Sequence, residues 1–343
     1  MRVAINGFGR VGRQVFKALG ERYPDLDIVA INDLFDGETN AHLLKYDSNY
    51  GRFEGTIEAT DDALTVNGRE IEVFAEREWT DLPWGALGID LVIESSGAGT
   101  ARAMAEKHLT AGAGKVLISA PATDEDITVV LGVNDEKYDP EQHRIISNAS
   151  CTTNGLAPVV KVIWDTFGIS KGMMTTIHAY TNSQQILDVA GPKGAADREL
   201  RAGAMNIIPT STGAARAVAL VLPEVKGIVD GLAYRVPTPT VSIVEFIASV
   251  NRTTSVEEVN AALRAAAAER MEGVLDVTDE PLVSMDLKGN THSSIVDSLV
   301  TMVVGGDLVK VAAWYDNEWG YACRVSDFAN LIATRVLALA ATG

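Results

Sequence analysis

The 343-residue chain exceeds the size at which a single hydrophobic core usually stops growing, so two domains are expected. Its 47% hydrophobic and 22% charged residues describe an ordinary globular protein, and 46 acidic against 29 basic residues give a net charge of −17, the opposite of a nucleic-acid binder's basic footprint. No apolar run approaches the roughly 20 residues of a membrane span. The opening MRVAINGFGR lacks the parts of a secretory signal, and two cysteines make no disulfide framework, so a cytoplasmic protein without membrane or nucleic-acid partners is expected.

Along the chain, RVAIN reads as a strand, RVGRQVFKALGER as a helix and DIVAIND as a second strand. A mixed region runs to Arg77, and GIDLVIESSG, ARAMAEKHLTAG and KVLISAP resume the alternation. Strands alternating with helices predict βαβ units around a parallel sheet, which TVVLGVN and RIISNAS would extend. After Cys151 the rhythm changes. MMTTIHAY, DGLAYRVPTPTVSIVEFIASV and SLVTMVVGGDLVKVAAWYD are longer β-type stretches, interrupted by the helical APVVKVIWDTFG and VEEVNAALRAAAAERM. This predicts an α+β second domain, with a boundary near residue 150. The closing segment 324–343, which ends in SDFANLIATRVLALAATG, is helical and is expected to pack back on the first domain.

The segment RVAINGFGRVGRQVF holds Gly7, Gly9 and Gly12 in a G-x-G-x-x-G array. Alone, such an array is no more than a tight turn. Here a strand precedes it, a helix follows, and a second strand ends at Asp33, about 20 residues further on. Gly7 allows the turn, Gly9 lets the backbone approach a pyrophosphate, and Gly12 allows close helix–strand packing. The helix N-terminus offers unpaired N–H groups to the phosphates. Asp33 would accept the ribose hydroxyls and repel a 2′-phosphate, which favours NAD over NADP.

IISNASCTTNGLAPVVKV places Cys151 where a β-branched run gives way to Ser, Thr and Asn before an apolar-periodic helix. A thiol in a helix's first turn feels positive partial charge, which predicts a stabilised thiolate. Among His42, His108, His143, His178 and His292, only His178 ends a β-type run; the others sit in segments that read as helix faces or solvated loops. Cys151 with His178 is therefore the candidate nucleophile and base. Cys323, in GYACRVSDF, reads as a small core hydrophobe. No cysteine pairing with zinc-ligand spacing is present, so no metal is expected.

INGFGRVGR, ISNASCTTN, TTIHAYTN, NIIPTSTGAA, YRVPTPTVSIVEF and WYDNEWGY together resemble, in order and approximate spacing, the glyceraldehyde-3-phosphate dehydrogenase family. The likeness runs from about residue 2 to residue 330. It implies a Rossmann-like NAD-binding domain (1–150), a catalytic domain with a mainly antiparallel sheet (151–323) and a homotetramer. By resemblance Cys151 is the nucleophile and His178 its base. Ser150, Thr152, Thr181, Thr212, Gly213 and Arg235 would hold the phosphorylated aldose and inorganic phosphate. Arg10, Val11, Asp33, Arg77, Ser119 and Asn317 would join the glycines in holding NAD, with Asn317 on the nicotinamide carboxamide. The implied reaction is oxidation of D-glyceraldehyde 3-phosphate through a thiohemiacetal and thioester on Cys151, ending in an acyl phosphate.

One stretch departs from that pattern. Where the family carries a short loop and an arginine-rich run, this chain reads VAGPKGAADRELRAGAMN. Glu199 falls at the position of a phosphate-holding arginine, flanked by Arg198 and Arg201, and Arg198 is the expected substitute. Val189 and Ala190 lie in the region that bears on NAD versus NADP. Two other functions stay open on this reading: an erythrose-4-phosphate dehydrogenase ending in hydrolysis, and a non-catalytic NAD-binding scaffold. The intact PTSTGAA argues against the first, and the joint presence of Cys151, His178, Thr181 and Arg235 against the second.

Overall fold

The computed structural model describes residues 1–192 and 194–342, so Lys193 of the altered loop and Gly343 of the closing helix lie outside the described residues. The chain divides into two compact units: residues 1–129, 136–149 and 322–343 in one, residues 130–135 and 150–321 in the other. No helix among the described residues is long and apolar enough to cross a membrane.

The first unit is built on a sheet that runs, edge to edge, through Ile127–Thr128, Ile145–Ser147, Lys115–Ile118, Leu91–Glu94, Arg2–Asn6, Asp27–Asn32 and Arg69–Phe74, then Ala63–Val66 and Ile57–Ala59. The first seven pair in parallel and the last two add antiparallel. Central strands buried on both faces read as continuous apolar runs, and Val3, Ile5, Leu91, Val92, Ile93 and Val116 are all fully buried. The Arg10–Arg22 and Arg102–Thr110 helices are the crossovers that such parallel pairing requires. Trp79, Trp84 and Ile89 fill one face of the sheet with Ala4 and Val92. The Trp319–Thr342 helix carries Asp327, which accepts from Arg22 at 2.7 Å and from the Tyr23 hydroxyl at 2.7 Å, while Phe328 packs edge-on against Tyr138.

The second unit holds a mixed sheet in the order Ile208–Ser211, Val229–Val236, Ile169–Ala179, Ser242–Val250, Leu308–Tyr315, Ser294–Asp297 and Leu275–Thr278, with Met302–Val304 also on Leu308–Tyr315. Most pairs are antiparallel, as expected. Two are parallel, and one of these sets Ile169–Ala179 beside Val229–Val236 in a register that makes His178 and Arg235 direct neighbours. The Cys151–Phe167 helix belongs to this unit, with Leu156, Val159, Val160 and Ile163 buried.

One sequence expectation gives way. TVVLGVN contributes only Thr128, the second residue of the Ile127–Thr128 strand, to the first sheet, because residues 130–135 turn at Gly132 (φ +77°) and cluster with the second unit. The β-type stretch SLVTMVVGGDLVKVAAWYD folds as a hairpin, since Gly305 and Gly306 take φ of +63° and +83° between Met302–Val304 and Leu308–Tyr315.

Candidate active site

Cys151 opens its helix, and the residue before it is the cap: the Ser150 hydroxyl accepts the Thr153 N–H at 3.0 Å and lies 2.7 Å from the Thr153 hydroxyl. No acidic residue occupies the first turn. Ala149, two positions earlier, has φ +54°, a strained value for a residue with a Cβ. Helix and strand bring the thiol and imidazole together across 27 residues of sequence, with Cys151 Sγ 3.5 Å from His178 Nε2.

The other ring nitrogen has two suitors. His178 Nδ1 lies 2.6 Å from the Ala179 carbonyl oxygen, an acceptor, and 2.5 Å from Arg235 Nη1, a donor. One nitrogen cannot satisfy both. A proton on Nδ1 goes to the carbonyl and leaves Nε2 bare toward the sulfur. A bare Nδ1 accepts from Arg235 and leaves an Nε2–H pointing at the sulfur.

Burial pushes the Cys151 thiol above its usual value, opposed by the Arg235 charge and by Thr152 of the first turn. Burial, then Arg235, lowers His178 to about 3, against the Ala179 carbonyl. Burial thus works against both charged forms, the thiolate of Cys151 and the imidazolium of His178. At Cys151 that opposes the thiolate expected from the helix end. A helix terminus supplies about 0.3–1 kcal/mol, less than the desolvation of a thiolate in an enclosed site.

The remaining expected residues of this unit fall as follows. The Thr152 hydroxyl is turned inward, 2.9 Å from the buried Tyr315 hydroxyl, and the Ser150 hydroxyl is occupied by capping. Thr181 bonds Gln184 through N–H at 2.8 Å. Thr212 accepts the Ala214 N–H at 3.1 Å, and Gly213 caps the Ala214–Val221 helix with no side-chain acceptor and open space where a Cβ would stand. In the altered loop, Arg201 is tied to Asp188 at 2.9 Å, whereas Arg198 is exposed on a short 3-10 turn beside the partly exposed Glu199. Asn317 is buried, and Ser242 donates to its Oδ1 at 2.9 Å, leaving the amide N–H groups for another acceptor.

Sequence reasoning missed Tyr315 and Ser242. The Tyr315 hydroxyl joins Thr152 to Thr176 (2.7 Å), which locks the helix's first turn to the His178 strand. Ser242 also accepts the Ala179 N–H at 3.0 Å. Both lie inside the motifs VSIVEF and WYDNEWGY, yet nothing local marks them as bridging groups.

The first unit fits a dinucleotide. Gly7 takes φ +88°, and a Cβ on it would meet Ser96 N at 2.3 Å; a Cβ on Gly12 would meet the Gly7 oxygen at 2.1 Å, whereas Gly9 faces open space. Gly9 caps the Arg10–Arg22 helix without a side-chain acceptor and without acids in its first turn, so the terminal N–H groups suit an anion. Val11 is half-buried in that first turn. Asp33 accepts the Phe8 N–H at 2.7 Å, which ties the glycine loop to the second strand's end. Arg10 is turned to Asp47 at 2.7 Å, Arg77 is exposed, and the Ser119 hydroxyl donates to the Glu94 carbonyl at 3.1 Å. No group of three or more His, Cys, Asp or Glu among the described residues stands where it could hold a metal ion.

Residues 1–102 match the family model described as glyceraldehyde 3-phosphate dehydrogenase, NAD binding domain, and residues 150–317 match its C-terminal domain. The chain is 56% identical over 337 residues to glyceraldehyde-3-phosphate dehydrogenase of Geobacillus stearothermophilus, covering 98% of this chain and 99% of that one. It is 55% identical over 337 residues to glyceraldehyde-3-phosphate dehydrogenase 1 of Bacillus subtilis (strain 168), with the same coverage. Against glyceraldehyde-3-phosphate dehydrogenase 2 of Streptomyces avermitilis the identity is 54% over 336 residues. A thiol–imidazole contact in one unit, a glycine fingerprint in the other and two matched domain models agree, and the chain belongs to the glyceraldehyde-3-phosphate dehydrogenase family.

Proposed function

We propose that this protein oxidises D-glyceraldehyde 3-phosphate to 1,3-bisphosphoglycerate, using NAD and inorganic phosphate. The observation that carries the reading is Cys151 Sγ at 3.5 Å from His178 Nε2. The Cys151 sulfur adds to the aldehyde carbon as its proton passes to His178 and on to the new hydroxyl. His178 then removes that hydroxyl proton as the carbon–hydrogen bond breaks and a thioester remains on Cys151. NAD, when bound, supplies the hydride acceptor. A phosphate oxygen attacks the thioester, the sulfur–carbon bond breaks, and the departing sulfur regains a proton from His178.

Arg235, Thr181 and the exposed Arg198 are the groups for the sugar phosphate. Thr212 and the uncapped helix N-terminus at Gly213 suit inorganic phosphate. Asn317 takes the nicotinamide carboxamide, and Asp33 makes NAD the preferred nucleotide. Residues 1–150 form the NAD-binding domain, joined by the 324–343 helix, and 151–323 the catalytic domain. Assembly as a homotetramer is supported by exposed apolar side chains on the second unit's sheet, such as Met173 and Met302, and on the 186–207 loop, such as Ile186 (85% exposed) and Met205 (78%). Two unpaired cysteines suit a reducing cytoplasm.

The test is NADH formation from glyceraldehyde 3-phosphate with and without inorganic phosphate, before and after thiol alkylation. Phosphate-dependent turnover, lost on alkylation and in Cys151→Ser with NAD affinity retained, is expected. Phosphate-independent oxidation of erythrose 4-phosphate in its place would sink the reading.

A further inference from the structure

The first unit buries a carboxylate that no motif explains. Glu94 ends the Leu91–Glu94 strand directly across from Asn6, and only 2% of it is exposed. Its Oε1 accepts the Ser96 N–H at 2.9 Å and the Ser96 hydroxyl at 2.5 Å. Its Oε2 accepts from Asn6 Nδ2 and faces Nε2 of the fully buried His108 at 3.1 Å.

Chemistry decides that last contact. Trp84 Nε1 lies 3.1 Å from His108 Nδ1, and an indole N–H only donates. Nδ1 is therefore bare, Nε2 carries the proton, and His108 donates to Glu94. Trp79 stacks on the imidazole at 4.8 Å and 11°, which fixes the ring plane. A buried carboxylate is costly unless its lone pairs are met, and here four donors meet them.

The bonds lead to the cofactor segments. Ser96 N abuts Gly7, so the 95–97 turn rests on the glycine loop. Asn6 Oδ1 accepts from Asn32 Nδ2 at 2.7 Å, and Asn32 precedes Asp33, which holds Phe8 N. We propose that His108 is a positioning residue for NAD. Through Glu94 it holds the Ser96 turn and the Asn6–Gly7 turn in the geometry that receives the dinucleotide, without touching it. This rests on the NAD-binding reading.

Titrate NAD into the full-length protein by calorimetry, for the unaltered chain, His108→Leu, His108→Gln and Ser96→Ala. His108→Leu is expected to raise the NAD dissociation constant about tenfold, the scale of one hydrogen bond to a charged group. His108→Gln, which restores a donor to Glu94, recovers most of that loss. The KM for NAD should rise while kcat, the KM for aldehyde and the NAD-free alkylation rate of Cys151 stay put. If His108→Leu does not fold, Ser96→Ala carries the test with a severalfold loss. A folded His108→Leu or Ser96→Ala with unchanged NAD affinity overturns the inference, as does a Gln variant no better than Leu. An unaltered chain that binds no NAD fails the parent reading instead.

Discussion

Arg235 and His178 face each other across two parallel strands, in register, with Nη1 2.5 Å from Nδ1. The same guanidinium acts on both reacting groups, favouring the thiolate of Cys151 and disfavouring the imidazolium of His178. An arginine so placed couples whatever anion it binds to the protonation of the pair.

Replacing Arg235 with Leu should therefore raise the thiol pKa further and also raise that of His178. Alkylation of Cys151 by iodoacetamide in the NAD-free protein depends on the thiolate fraction. Its pH profile should move to higher pH, with the rate at neutral pH falling about tenfold for each unit moved. Phosphate or sulfate, by drawing Arg235 away from Nδ1, should move the unaltered protein's profile in the same direction. Alkylation rates across pH, with and without the anion, check this; an unmoved profile contradicts it.

The buried imidazole also makes stability depend on pH. His178 is neutral in the folded protein down to about 3, against an ordinary value of 6.5. Between these the unfolded chain binds the extra proton, so stability rises with pH through the window. The contribution is complete above 6.5 and is lost as pH falls toward 3, at up to roughly 1.4 kcal/mol per unit. His178→Gln should flatten that slope in denaturant-unfolding curves taken across the same range, while slowing turnover by about 10²–10⁴-fold.

Tyr315 offers a separable effect. Its hydroxyl is buried and bonds both Thr152 and Thr176. Tyr315→Phe leaves two buried hydroxyls short of a partner, so a loss of about 1–3 kcal/mol is expected. The denaturant midpoint should fall with an unchanged m-value.

The rearranged loop yields a contrast between neighbours. Arg201 is tied to Asp188, whereas Arg198 stands exposed. Arg198→Ala should raise the KM for glyceraldehyde 3-phosphate severalfold and leave the KM for NAD alone. Arg201→Ala should change neither by more than about twofold, as exposed ion pairs are worth about 0–1 kcal/mol. Steady-state kinetics of both variants decide it, and equal effects would show that Arg198 has no special role.

The sequence by itself determined what local geometry controls. Gly7 and Gly12 were legible because a tight turn and a close backbone approach tolerate no Cβ there. Cys151 was legible as a helix start because Ser150 is a cap, and the change of rhythm after it marked a second unit. Tertiary structure alone decided the rest. Strand register, not spacing, set Arg235 against His178 from 57 residues away, and burial works against the thiolate of Cys151. His108 read as an ordinary helix face until folding closed Trp84, Trp79 and Glu94 around it. Desolvation and long-range hydrogen bonds depend on which distant residues share a small dry volume, and that volume exists only once the sheets have formed.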